Sequence, residues 1–112
     1  MNLIAIVTTL PSREQALVMA RALVERRLVA CAQISEIESV YRWQGEVQQE
    51  AEVRLLLKTR EALHDQVEAL ILAMHSYELP AIHAIRLDRV HGPYGEWIHA
   101  ATTADGDGAC AG

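Results

Sequence analysis

The first strand is predicted from residues 2–8, which are apolar and β-prone and are stopped by Pro11. Ser12-Arg13-Glu14-Gln15 follows with a hydroxyl at the N-cap and a glutamine three residues on, the capping-box spacing. Ala16, Leu17, Ala20, Leu23, Val24 and Leu28 then recur at steps of three and four, which predicts an amphipathic helix to about residue 27. Two extended runs come next, about 29–44 and 47–59, joined at Gln44-Gly45-Glu46, so the pair reads as a β-hairpin with Gly45 at its turn. Along the second arm Val53, Leu55, Leu57 and Thr59 share one face, and Arg54, Leu56 and Lys58 the other. A second helix is expected from about residue 60, capped by Thr59 and burying Leu63, Val67, Leu70, Ile71 and Met74. It ends near His75, ahead of Pro80. Residues 81–90 predict a fourth strand, and Gly92-Pro93 opens a short third helix with Tyr94, Trp97, Ile98 and Ala101 on its apolar side.

The predicted order is β-α-β-β-α-β-α. Its first six elements form an α+β, ferredoxin-like βαββαβ sandwich, to which the last helix is an addition. Residues 1–103 are expected to form a single domain and 104–112 a disordered tail. Two helices on one face of the sheet leave the other face bare, although Val40, Leu55, Leu56 and Leu57 call for cover on both sides. Arms of roughly 12–15 residues at ~3.3 Å each span about 40–50 Å, against a radius of gyration near ~13 Å for a domain of this size. The hairpin should therefore overhang its own core, carrying Tyr41 and Trp43 near its tip, and these two residues are expected at an interface with further copies of the chain. A bent or bulged arm is the alternative.

Composition narrows the partners. The net charge of −5 argues against nucleic acid and against an anionic membrane surface. No apolar run approaches the ~20 residues of a membrane span, and the N-terminus reads as a strand rather than a secretory signal. Cys31, in an apolar stretch, and Cys110, in the glycine-rich tail, make no disulfide framework. Both are expected reduced, in a cytoplasmic protein, with Cys31 as a small core hydrophobe.

Candidate chemistry is sparse: there is no phosphate loop, no HExxH and no CxxC pair. His64 reads as solvated, His83 as a buried or interface imidazole, and His91 and His99 flank the third helix. His75, followed by Ser76-Tyr77-Glu78-Leu79-Pro80, brings an imidazole, a phenol and a carboxylate within four residues, a set able to bind a divalent cation. The other reading is that His75 complements the helix C-terminus while Tyr77 packs. Lys58, in an apolar strand, needs a partner: Glu50, Glu52, a neighbouring chain's carboxylate or an anionic ligand. Tyr94 and Trp97 suit either core or pocket.

Several segments together resemble the CutA family of divalent-cation tolerance proteins. They are Val7-Thr8-Thr9-Leu10-Pro11, residues 20–31, residues 39–46, the strand ending Leu57-Lys58-Thr59, residues 75–80 and Tyr94-Gly95-Glu96-Trp97. The resemblance implies a homotrimer with hairpins packed across subunits, arranged like the PII regulators. It also implies a non-catalytic role in binding, tolerating or responding to metal, copper foremost. The metal candidates are then His75, Met74 and Glu78. The alternative is a PII-like regulator binding a small ligand in inter-subunit clefts through Lys58, Tyr77, Tyr94 and Trp97. An enzyme using His75 or Glu78 as acid–base is a third reading. Where some members carry a cysteine this chain has Thr8, where some carry a further histidine it has Met74, and Ser76 and Ala81 replace the usual proline and glutamate.

Overall fold

The computed structural model describes residues 2–102. The expected tail, 104–112 with Cys110, lies outside the described residues. Four strands and three α-helices alternate as β1 (Leu3–Leu10), α1 (Arg13–Glu25), β2 (Cys31–Trp43), β3 (Glu46–Arg60), α2 (His64–Met74), β4 (Ile82–Arg86) and α3 (Gly92–Ala101). All sheet pairings are antiparallel and the strand order is β2-β3-β1-β4, the split βαβ arrangement that the hydrophobic pattern predicts.

One face of the sheet carries the main core. Ile4 and Ile6 of β1 and Val53, Leu55 and Leu57 of β3 meet Ala16, Met19, Ala20 and Leu23 of α1 and Val67 and Ile71 of α2. Thr59 ends the buried row of β3, as the period of two requires. Its hydroxyl, however, does not cap a helix. It donates to the Leu28 carbonyl at 2.6 Å, while Arg60 stays in the sheet opposite Leu3. The second helix is therefore delayed: Glu61–Leu63 form a 3₁₀ turn and α2 begins at His64. Arg60 is held by the Thr102 hydroxyl at 3.1 Å and by the Thr102 carbonyl.

The other boundaries have local causes. The Ser12 hydroxyl accepts from the Gln15 amide at 3.2 Å, so the predicted N-cap of α1 is present. That helix stops early because Arg27 turns left-handed, with φ +60°. Strand β4 is half its expected length because it pairs only with Ile4–Thr8 of β1.

The second face is not bare. Ile98 of α3 packs on Leu3 and Ala30, joined by Leu87, Val90 and Tyr94. This small cluster covers one end only. At the opposite end the hairpin extends straight: Leu10 of β1 stops opposite Val53, and residues 46–52 of β3 pair with β2 alone. No residue from Gln33 to Ala51 is buried, and Val40 and Val47 are 66% and 64% exposed. The molecule measures 47 × 27 × 20 Å, so the overhang is real and the bent-arm alternative falls away. The turn is the two residues Gln44 and Gly45, at φ +52° and +84°, both left-handed as in a type I′ hairpin.

Two outcomes follow from this packing. Leu57→Ala, in a fully buried position, should cost about 2–5 kcal/mol in urea unfolding. Gly45→Val, which forces a β-branched residue into the left-handed region, should cost about 1–2 kcal/mol by the same measurement, although no atom lies in the way of its Cβ.

Candidate functional site

Where α2 ends, the chain turns back along the root of the hairpin, and His75 makes the turn. As C-cap of α2 it leaves the helical region, with its amide donating to the Ile71 carbonyl. Its Nε2–H donates to the Thr9 carbonyl at 2.7 Å, and its Nδ1 accepts the Tyr77 amide at 3.1 Å. These partners assign a neutral imidazole protonated on Nε2. Both ring nitrogens are occupied. The ring also lies 4.8 Å from that of Tyr77.

Tyr77 reaches the hairpin, where its hydroxyl donates to Glu52 Oε2 at 2.7 Å. One step further out, the Tyr41 hydroxyl donates to Glu50 Oε1 at 2.9 Å. Burial and the hydrogen bond to Glu52 push the Tyr77 phenol well above its usual range, and the bond to Glu50 raises that of Tyr41. Both phenols remain proton donors at neutral pH. Glu52 is 9% exposed. Among the described residues no lysine, arginine or histidine forms an ion pair with it or with Glu50.

Between the arm and residues 77–83 lies an open groove of about 1090 Å³, walled by Tyr41, Trp43 and Tyr77 and carrying Glu50, Glu52 and Glu78. His83 lines it and is exposed within this chain rather than buried. Met74 and Glu78 are exposed on either side of His75. Thr8 is fully buried and its hydroxyl has no partner, so that position faces the core and not the groove.

The four residues expected to share a ligand cleft separate into two places. Tyr77 belongs to the groove. Lys58, Tyr94 and Trp97 gather where α3 meets the sheet, on the face opposite α1 and α2. The Lys58 ammonium donates to the Tyr94 hydroxyl at 3.3 Å, and the Tyr94 and Trp97 rings stack at 5.7 Å. Neither Glu50 nor Glu52 is the partner of Lys58; both lie beyond the end of β1, whereas Lys58 pairs with Ala5 in its middle. Cys31, directly across from Lys58, is half-buried, with its thiol 3.9 Å from the Tyr94 hydroxyl, so it is not a plain core residue. Sequence reasoning gave Glu50 and Glu52 no role beyond pairing with Lys58. Their alternation beside Tyr41 across the hairpin is the signal that marks them. It also read His64 as merely solvated, yet the i, i+1, i+4 spacing brings His64, Asp65 and Glu68 together, their ligand atoms all within 4.8 Å.

A family model described as CutA1 divalent ion tolerance protein matches residues 4–101. The divalent-cation tolerance protein CutA of Pyrococcus horikoshii is 36% identical over 96 residues, covering 86% of this chain and 94% of its own. Mouse protein CutA is 34% identical over 95 residues, and there the match spans 54% of the longer mouse chain. Among solved structures, the Archaeoglobus fulgidus protein, described as a periplasmic divalent cation tolerance protein, aligns with a TM-score of 0.89 at 34% identity, covering 90% of this chain and 99% of that one. The divalent cation tolerance protein of Thermus thermophilus aligns at 0.87 and 36%, with 90% and 99% covered. With the fold, the hairpin and the His75 turn all inside the matched residues, the chain belongs to the CutA1 divalent ion tolerance family.

Proposed function

We propose that this protein works in the cytoplasm as a homotrimer that binds or responds to a divalent metal, copper foremost, without catalysing a reaction. The observation that carries the proposal is membership of a family described by divalent ion tolerance. The trimer is supported by the overhanging arm. A two-stranded ribbon with Val40, Val47, Tyr41 and Trp43 in water is marginal alone, and a neighbouring chain laid along it would bury these side chains. The cytoplasmic assignment rests on the lack of a disulfide framework. Among the described residues no helix is long and apolar enough to cross a membrane.

Copper would call on His75, Met74 and Glu78. Within one chain this set does not fit the ion as it stands. Both nitrogens of His75 are engaged, and no third histidine, cysteine or carboxylate donor converges there among the described residues. Copper at this loop would need a freed nitrogen of His75 and a further donor from a second chain. The second reading, a PII-like regulator with a small ligand in inter-subunit clefts, is favoured by Lys58, a half-buried ammonium whose neighbour is a phenol rather than a carboxylate.

Calorimetry with Cu(II), Cu(I) and Zn(II) on the parent and on His75→Ala tests the metal reading. The expected result is micromolar binding that the substitution weakens about tenfold, or ~1.4 kcal/mol; no binding, or none lost, removes His75 from the site. Light scattering should give three times the 12.4 kDa chain mass, and a stable monomer at micromolar concentration would sink the trimer. Trp43→Ala should lower the denaturant midpoint of dissociation by the equivalent of about 2 kcal/mol, and an unchanged midpoint would remove Trp43 from the interface.

A further inference from the structure

We infer that His64, Asp65 and Glu68, on the outward side of the first turn of α2, form a site for a divalent transition-metal ion of the zinc, cobalt or copper(II) kind. The site deepens the metal reading above and rests on it for the class of ion. It uses neither His75 nor a second chain, so the two can fail separately.

The donors already converge. His64 Nδ1 lies 3.0 Å from Asp65 Oδ1 and 4.0 Å from Glu68 Oε1, and the three ligand atoms all fall within 4.8 Å of one another. A tetrahedral ion bound at about 2.0–2.2 Å sets its ligand atoms roughly 3.3–3.6 Å apart. The separations at His64 bracket that range, so small rotations of the two carboxylates, both open to solvent, are enough to receive an ion. Among the described residues no other three such donors close in this way, those around His75 included.

The backbone beneath them is fixed. Leu63 and Val67, on the other side of the same turn, are buried, and Val67 packs into the core between α2 and the sheet. His64 and Glu68, one helical turn apart, therefore share the side of α2 that faces away from the sheet. The overhanging arm and the second sheet face lie elsewhere. A neighbouring chain laid along the arm leaves the trio in water.

Charge favours a cation at this corner. Among the described residues the ion-pair partner of both Asp65 and Glu68 is His64, and Arg86 is spent on Glu61 at 2.8 and 3.4 Å. The positive end of a helix supplies about half a charge, against two carboxylates. The donor set then selects the ion. Calcium and magnesium call for shells of oxygen, and copper(I) calls for sulfur. One imidazole with two carboxylates suits borderline ions, and three protein donors leave the remaining positions to water. An ion held so openly exchanges with solution, as a site that follows the ambient level requires.

The test titrates the assembled protein with Zn(II) and Co(II) by calorimetry, in a buffer that does not chelate metal. Ring-nitrogen NMR spectra of the histidines are recorded alongside. The expected result is saturable binding of one ion per chain that shifts the His64 ring signals, while Mg(II) leaves them in place. His64→Gln and Glu68→Gln should each weaken binding about tenfold or more, and His75→Ala should leave the His64 response unchanged. Circular dichroism and light scattering on the same samples show that each variant keeps its fold and assembly. The inference is overturned if neither ion saturates, if His64→Gln binds as well as the parent, or if the His64 signals stay fixed while another histidine moves. Binding that His75→Ala abolishes and His64→Gln spares also overturns it, and leaves the metal reading of the His75 loop standing.

Discussion

Strand β3 pairs with β2 along its whole length but with β1 only from Val53 to Arg60. That difference in length divides the molecule. Where three strands lie side by side, α1 and α2 cover them and the core is fully buried. Where two lie side by side no helix covers them among the described residues, Tyr77 reaches only Glu52 at the root, and the ribbon beyond stands in water with valines, a tyrosine and a tryptophan on it. Sheet pairing satisfies the backbone of the arm, but side-chain burial does not support it, and a two-stranded ribbon gains little from its hydrogen bonds alone. The need for a partner surface is thus written into the ratio of two strand lengths.

The groove arises at the same step. As β1 ends at Leu10, β3 loses its neighbour beyond Val53, and Thr9 and Leu10 lie past the end of β4; the loop after α2 reaches that corner. His75 anchors the loop by holding the Thr9 carbonyl with one nitrogen and the Tyr77 amide with the other. Tyr77 then closes on Glu52, the residue next to Val53 where the third strand stops. The histidine that sequence alone offers as a metal ligand is in the folded chain a backbone clamp, and it places Tyr77 on Glu52, a carboxylate buried at the wall of the groove. Residues of opposite apparent promise have changed places because hydrogen-bond partners, not residue type, decide what an imidazole or a carboxylate is free to do.

The second face of the sheet shows how a short element redirects chemistry. Helix α3 adds little to the core, but Ile98 seats it on Leu3 and Ala30 and so brings Tyr94 over Lys58 and Cys31. The lysine gains a phenol in place of the glutamate that its position on the hairpin invited. Tyr77, expected in the same cleft, ends instead against Glu52, further out along β3 than Lys58, because His75 ties the loop after α2 to Thr9 near the end of β1.

Much of the architecture was legible in the residues themselves. The alternation of Val53, Leu55, Leu57 and Thr59 set which face of β3 is buried, the three–four spacing set the inner face of α1, and Ser12 and Gly45 marked a helix start and a turn. These are local periodicities, and the backbone geometry that reads them is the same in every protein. The length of the hairpin, and with it the overhang, was also local information. The start of α2 was not: Thr59 looks like a cap, and only the pairing of Arg60 with Leu3 holds that segment in the sheet. The contacts of His75 with Thr9, Lys58 with Tyr94 and Glu52 with Tyr77 were not legible either, since they join residues 25 to 66 positions apart. Such contacts depend on where β1 ends and which corner the loops then fill. Sequence therefore determined the elements, their inward faces and the overhanging arm; tertiary structure alone decided which polar groups are spent on holding the fold and which are left at the surface.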